Sequence, residues 1–389
     1  MDEIIVGTYE GFLLGYSLSY EDKRSKIKQT FATHSHTASV RCVSIAGKFL
    51  ASGGTDDKVV VIDMKSRKEH TVLMNHDGTV NTAAFTHNGT HLLTGSDDGS
   101  IIVTRTGNWQ IEKIWKKAHQ GFPVTDIAVH PSDKLALSIG GDKTLRTWNL
   151  VKGRPAFTIN LSSKGVTLPT EIKFSPTGDR FSLIHEQNVD VWTISKAGIE
   201  KQIKCTTKPT SVQWVSDERM YVGLDNGNII SFTVSDTQAQ TYKAHKQRVK
   251  CLHYNNDILY SLSSSGEIKV WSEIEAKLSE LSSHNAACRA TCVTLNRQSY
   301  LIKKEEKSDE EHSEAEENIE QTEEKDDSDV SDVEELKAPS PPAKRKPGAF
   351  VTISYGNDED EKEGGATPEK KFKKKKRNKN KNKKNKVVE

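Results

Sequence analysis

The chain has 389 residues, a formal net charge of +2, 34% hydrophobic residues and 25 glycines. That apolar fraction is low for a globular chain, so either the core is thin or part of the chain has none. No run approaches the roughly 18 apolar residues of a membrane helix, Met1-Asp2-Glu3 offers no basic leader segment, and five cysteines at 42, 205, 251, 288 and 292 without CxxC spacing argue for a reducing compartment rather than a disulfide scaffold or ribbon-type zinc site.

The chain opens with Ile4-Ile5-Val6-Gly7, a turn at Tyr9-Glu10-Gly11, and Phe12-Leu13-Leu14-Gly15-Tyr16. These read as two short strands around a turn, with no strand before them. A unit then recurs. Thr94-Gly95-Ser96-Asp97-Asp98-Gly99 leads into Ser100-Ile101-Ile102-Val103, Ile139-Gly140-Gly141-Asp142-Lys143 into Thr144–Asn149, and Ser263-Ser264-Ser265-Gly266 into Glu267–Trp271. An apolar run, a Gly/Asp/Ser turn and an alternating run make a β-hairpin signal. The residue six positions after each turn Asp or its equivalent is Tyr16, Ile62, Thr104, Trp148, Trp192, Phe232 and Trp271, mostly aromatic or large apolar β-formers, at a period of about 42 residues.

A second landmark precedes a further strand. His36, His76, His119, His245 and His284 each stand four or five residues before an apolar position, namely Val40, Val80, Val124, Val249 and Cys288. Val43 and Ile45, Ala83 and Phe85, Ile127 and Val129, and Leu252 and Tyr254 continue the alternation of a buried strand. Two repeats keep the strand without the histidine, at Pro169–Phe174 and Pro209–Trp214. Cys288–Leu295 then reads as a first strand with nothing after it. A small sheet of three or four strands cannot bury both faces alone, whereas radial stacking does bury them.

On these residues the chain resembles the WD-repeat β-propeller family. Trp148-Asn149 and Ile62-Asp63 stand where the family has Trp-Asp, and Asn75-His76 and Ala118-His119 where it has Gly-His. The expected fold is all-β: a seven-bladed WD-repeat β-propeller over residues 1–300, its last blade closed by the N- and C-terminal strands. The resemblance also implies a role for His119, Ser138, Asp142 and Trp148, which match a buried hydrogen-bonded tetrad. The same residue types admit a catalytic Ser-His-Asp reading. Against it, the set recurs imperfectly as His36-Ser52-Asp56, His76-Thr94-Asp98 and His245-Ser261-Trp271, the last with Ser265 for the acid. A catalytic site is single, and a repeated, decaying set is scaffold. Cys288 and Cys292 beside His284 hint at a metal, but their strand positions favour small buried residues. No phosphate loop, cofactor site or small-molecule site is evident, and the chain reads as no enzyme.

The residue after the first apolar position of each inner strand faces the rim of such a ring. These residues are Arg41, Asn81, Thr125, Thr170, Thr210, Lys250 and Arg289. The three cations fall in consecutive blades, so Arg41, Lys250 and Arg289, joined by Arg248, form a candidate partner-binding patch. Phe122 adds a candidate exposed aromatic.

Beyond residue 302 the composition changes. Residues 1–302 carry a net +5, residues 303–336 a net −13 and residues 337–389 a net +10, so the total of +2 is a cancellation. The segment after 300 has too little apolar surface to offset chain entropy and reads as disordered: an acidic then Pro-rich linker over 301–349 and a Lys/Asn-rich tail over 350–389. Ser308 and Ser331 lie in acidic contexts suited to acidophilic kinases. Ala349–Tyr355 is an apolar island that suits strand addition to a partner. Residues 370–386 hold 12 Lys/Arg in 17, among them Lys370, Lys371, Lys373, Lys374, Lys375, Lys376 and Arg377, and Lys344-Arg345-Lys346 adds a cluster. Such runs serve as nuclear or nucleolar addresses and bind RNA phosphates without base specificity.

A half-blade start, degenerate repeats, an acidic stretch and a basic end together resemble the PAK-interacting-protein family of nucleolar WD-repeat proteins. The resemblance implies a non-enzymatic assembly factor for the large ribosomal subunit, with pre-ribosomal proteins and RNA as partners, no membrane, and a nuclear, nucleolar location. It also implies the alternative of a signalling adaptor that restrains a p21-activated kinase. The basic tail favours the first.

Overall fold

The computed structural model describes residues 2–21, 24–236 and 239–297. Among these residues, 28 strands form seven four-stranded antiparallel sheets, and the one short helix is the 3-10 turn Ser162–Lys164. The seven innermost strands are Val40–Ala46, Val80–Phe85, Val124–Val129, Pro169–Phe174, Pro209–Trp214, Val249–Asn255 and Ala290–Arg297. They begin blades 1 to 7 in that order. Each packs on the next, and Ala290–Arg297 packs on both Val249–Asn255 and Val40–Ala46, so the ring is closed.

The apolar residues explain the stacking. Seven buried clusters occupy the seven seams between blades. Between blades 7 and 1, Ile5, Leu13 and Cys292 meet Val40, Leu50, Val60 and Ile62. Between blades 6 and 7, Ile4, Val6 and Tyr16 meet Tyr260, Leu262 and Val270. Adjacent strand residues thus feed opposite seams, as the period of two requires. Each fully buried Ile, Leu or Val contributes roughly 1.5–3 kcal/mol, and no blade keeps that contribution without both neighbours.

Blade 7 is built from both ends of the folded region. Asp2–Thr8 pairs antiparallel with Ala290–Arg297, with Glu3 opposite Asn296, Val6 opposite Val293 and Gly7 opposite Cys292. The C-terminal strand therefore starts two residues later than the Cys288 the sequence suggested. Ala290, opposite Thr8, corresponds to Val40, opposite Gly54. Backbone bonds confirm the shift. The N–H groups of His36, His119 and His245 donate to Gly11, Gly99 and Gly227, and in blade 7 the donor to Gly266 is Ala286, not His284. Those turn glycines have φ near +80° (Gly11 +85°, Gly227 +87°, Gly266 +84°), and a Cβ at Gly11 or Gly227 would stand 2.2 Å from the carbonyl oxygen of His36 or His245. Only glycine allows both the left-handed turn and the close passage of the next blade's link.

The ends are clipped to their neighbours by charge. Glu3 is buried, and its carboxylate accepts from Thr30 Oγ1 at 2.5 Å, Arg67 Nη2 of blade 1 at 2.9 Å and Asn296 Nδ2 at 3.1 Å. Asp2 accepts from Asn255 Nδ2 at 2.7 Å and Tyr260 Oη at 3.2 Å, both in blade 6.

Candidate functional site

The His-Ser-Asp sets sit inside the wall of the ring. His119 Nδ1 lies 2.8 Å from Asp142 and Nε2 2.7 Å from Ser138 Oγ, which also accepts from Trp148 Nε1 at 2.8 Å. His36 makes the same contacts with Asp56 at 2.9 Å and Ser52 at 2.8 Å, and His76 with Asp98 at 3.0 Å and Thr94 at 2.8 Å. In blade 6 the sequence expectation needs correction. His245 reaches Ser261 at 2.8 Å and Trp271 donates to Ser261 at 2.9 Å, but the acid is Glu267 at 2.7 Å, while Ser265 bonds Ser263. The longer glutamate reaches from two residues further along.

These groups are structural in their chemistry. His119 and Ser138 are 0% exposed, so no substrate reaches the pair. Burial works to raise Asp142, but the bond and charge of His119 and two bonds from Thr144 outweigh it and hold the carboxyl below its ordinary range. His245 is pushed down by burial. Blade 4 has no such histidine and instead buries His185 against Asp190 at 3.0 Å, with Gln202 donating to the same carboxylate at 3.0 Å. That pair was not read from the sequence, because its spacing matches no repeat position.

The upper face is the end at which the inner strands begin. Each inner strand carries a β-bulge there, after Val40, Val80, Val124, Pro169, Pro209, Val249 and Ala290. A bulge turns one side chain out of the ladder, so seven extra residues ring the mouth of the channel: Arg41, Asn81, Thr125, Thr170, Thr210, Lys250 and Thr291. Six of these match the sequence expectation. In blade 7 the two-residue shift puts Thr291 there, not Arg289. Asn81 and Thr210 staple the next blade, donating to the carbonyls of Val124 at 3.0 Å and Val249 at 2.5 Å. Thr291 donates within its own blade to Gly7 at 2.9 Å. Arg41 and Lys250 meet no carboxylate among the described residues. Arg289 is exposed and lies over the Tyr9 ring, 4.5 Å from its centroid. Arg248 is exposed and pairs loosely with Asp225 at 3.7 Å. Phe122, in the link before Val124, is 52% exposed.

Below the bulges a polar belt crosses the seams. Asp126 accepts from Thr82 Oγ1 at 2.9 Å and from the Ile172 N–H at 3.0 Å, and Glu171 accepts from the Val212 N–H at 3.1 Å. Burial pushes the Asp126 carboxyl up to about 6, helped by the nearby Glu171 charge and opposed by its hydrogen bonds. Cys42, Cys251 and Cys292 occupy the same belt in blades 1, 6 and 7. Burial pushes the Cys251 thiol up to about 11 and that of Cys292 to about 12. Cys288 is only half-buried, in the link before blade 7, and His284 faces Tyr16 at 5.1 Å between ring centroids. Among the described residues no group of three His, Cys, Asp or Glu is placed to hold a metal. Ser308, Ser331, Lys344-Arg345-Lys346 and the run from Lys370 lie outside the described residues.

Seven repeated blades, buried tetrads and a patterned mouth define a WD-repeat β-propeller, a fold of binding scaffolds. The family model for the WD domain, G-beta repeat, matches residues 25–63, 67–104, 111–149 and 236–272. The p21-activated protein kinase-interacting protein 1-like protein of Xenopus laevis is 34% identical over 79% of this chain and 85% of its own length. Its human counterpart, p21-activated protein kinase-interacting protein 1, is 31% identical over 75% and 76%, and the Shk1 kinase-binding protein 15 of Schizosaccharomyces pombe is 29% identical over 70% and 77%. The chain belongs to the p21-activated protein kinase-interacting protein 1 family.

Proposed function

We propose that this protein is a non-enzymatic scaffold of nucleolar large ribosomal subunit assembly, in which the propeller holds pre-ribosomal proteins and the tail holds RNA. The observation that carries this reading is the run over 370–386, with 12 basic residues in 17 and no acid. Phosphate neutralisation by such a run gives strong, salt-sensitive binding without base readout. Deletion of residues 370–389 is the test. Loss of nucleolar localisation and of co-sedimentation with large pre-ribosomal particles is expected, and an unchanged distribution refutes the role of the tail.

A second reading is favoured by the names of the relatives, which describe proteins that bind p21-activated kinases and the Shk1 kinase. In it the propeller docks on a kinase of that class and restrains it. That complex would survive deletion of 370–389, so affinity purification of both forms, with protein and RNA identified, separates the two readings.

A further inference from the structure

The upper face carries a second ring just outside the bulges. Its members are the last link residues before each inner strand, and in six blades the carbonyl of this residue accepts from the hairpin turn of its own blade. Thr55, Asp97, Gly141, Asp225, Ser264 and Tyr9 donate to Ser39, Thr79, Pro123, Lys208, Arg248 and Arg289 at 2.8–3.1 Å. Leu168 completes the ring before Pro169. Arg248 and Arg289 are thus equivalent residues on adjacent blades, a relation hidden by the two-residue shift in blade 7.

The two rings hold fourteen positions, five cations and no acid. Lys208, Arg248, Lys250, Arg289 and Arg41 all fall on the arc of blades 5, 6, 7 and 1. The other arc, over blades 2 to 4, is uncharged at these positions and exposes Met74 at 67%, Phe122 at 52% and Leu168 at 65%. Acids of the face sit in the hairpin turns, as Asp225, Glu10 and Glu186 do, or in a link, as Asp77 does, and Glu186 lines the junction of the two arcs. That junction is a shallow groove of about 430 Å³ between Leu168, Pro169 and Thr170 on one side and Gln187 and Lys208 on the other.

We infer that the cationic arc of Lys208, Arg248, Lys250, Arg289 and Arg41 docks an extended acidic segment of a partner protein, whose apolar residues seat against Leu168 and Phe122. This rests on the reading of the propeller as a protein-binding scaffold. The ring positions themselves carry no acid, and five cations clustered there attract and orient an anionic chain, although turn acids such as Asp225 and Glu10 stand beside them. The adjoining apolar arc supplies desolvated contacts that charge alone does not. RNA fits the face less well. Single-stranded RNA is gripped by stacking bases on aromatic rings. Tyr9 and Phe122 are each 52% exposed, Tyr9 with Arg289 over one face, but they belong to blades 7 and 3 and so form no row on which successive bases could stack.

The test uses the full chain with the basic residues of 370–386 replaced by Gln, so that the tail cannot capture the probe. The probes are a fluorescent twelve-residue peptide of Asp and Glu with two Leu, its Asn/Gln counterpart, and a uridine oligonucleotide. The acidic peptide is expected to bind and its counterpart not. Joint Arg41→Glu and Lys250→Glu, or joint Arg248→Glu and Arg289→Glu, should weaken binding at least tenfold, and Leu168→Ser with Phe122→Ser about fivefold. These side chains are exposed or half-buried at the rim, and an unchanged melting temperature confirms that each variant is folded. Absence of peptide binding, equal affinity in the charge-reversed variants, or oligonucleotide binding that falls with the same variants overturns the inference. Affinity purification from cells distinguishes the failures. If the Arg41/Lys250 variant keeps its bound proteins, the arc is wrong and the scaffold reading stands. If the unaltered chain holds no protein, the scaffold reading fails too.

Discussion

Glu3→Ala should open the ring at its closing blade. The carboxylate is 3% exposed and accepts three bonds, from Thr30, Arg67 and Asn296. Hydrogen bonds to a charged group contribute roughly 1.5–3 kcal/mol each, but the three share one acceptor group and do not add. Breaking a buried ion pair costs about 3–5 kcal/mol. Arg67 is 33% exposed on its side chain and can turn to water, so the lower end applies, about 3 kcal/mol. Glu3→Gln keeps the shape and part of the acceptor capacity and should cost about half as much. A double cycle with Arg67→Ala should show coupling of about 1–2 kcal/mol. Global unfolding followed by tryptophan fluorescence is a poor assay, because no tryptophan lies in Asp2–Thr8, Phe12–Glu21, Arg24–His34 or Ala290–Arg297. Hydrogen exchange resolves the blades. Amides of Asp2–Thr8 and Ala290–Arg297 should lose protection first, and those of blades 3 to 5 should change least. A cost under about 0.5 kcal/mol, the level of an ordinary surface substitution, or an even loss of protection around the ring, would refute the argument that this carboxylate holds the seam.

Three further predictions concern the buried polar groups. His119→Ala should cost about 2–3 kcal/mol, because it takes one partner from Asp142, which keeps Thr144 and Arg146, and leaves a buried Ser138 with Trp148 alone, and urea melts check it. Glu267→Gln should destabilise by about 1 kcal/mol while Ser265→Ala is near neutral, a pair that tests which residue took over as the acid in blade 6. Asp126 has its folded pKa raised to about 6, so the folded state holds that proton more tightly than the unfolded state and this residue's contribution to stability falls as pH rises from about 4 to 6. Asp126→Asn should therefore gain on the unaltered protein by about 2 kcal/mol between pH 4.5 and 7; a difference that is flat or shrinks with pH would be the wrong sign.

The ring was legible because its periodicity depends on many weak signals that agree. Trp148, Trp192 and Trp271 mark the third strand in three blades and His36, His76, His119 and His245 the link in four, and only the two series together, with the strands that lack either mark, fix the blade number. Blade 7 was harder. It lacks both the histidine and the tryptophan, and His284 lies close enough to the expected position to set a false register. What fixes the true register is a backbone bond from Ala286 to Gly266 and the bulge after Ala290, neither of which leaves a side-chain signature. Glu267 was missed for a related reason: a carboxylate two residues late still reaches the same imidazole because its side chain is one methylene longer. The clasp at Asp2 and Glu3 carried no signal at all, since a charged N-terminus is ordinarily solvated, and only closure of the ring makes Glu3 an interior residue.

Degeneracy of the repeat is what gives this propeller a direction. Seven identical blades would present a face with sevenfold symmetry and no preferred partner orientation. The mouth departs from that symmetry both at blades that keep the tetrad, where blade 1 contributes Arg41 and blade 6 Arg248 and Lys250, and at blades that lack it. Blade 5 has no tetrad histidine and contributes Lys208; blade 7 has none and contributes Arg289. Blades 1, 2, 3 and 6 keep their His-Ser/Thr-acid sets, which fix the links that carry Ser39, Thr79, Pro123 and Arg248. The retained tetrads and the clasp hold the frame rigid, so the cations of four adjacent blades stay at defined spacings without any of them having to stabilise the fold. A charge reversal at Arg41 or Lys250 should for that reason alter binding and leave stability alone, whereas Glu3 and His119 should do the opposite.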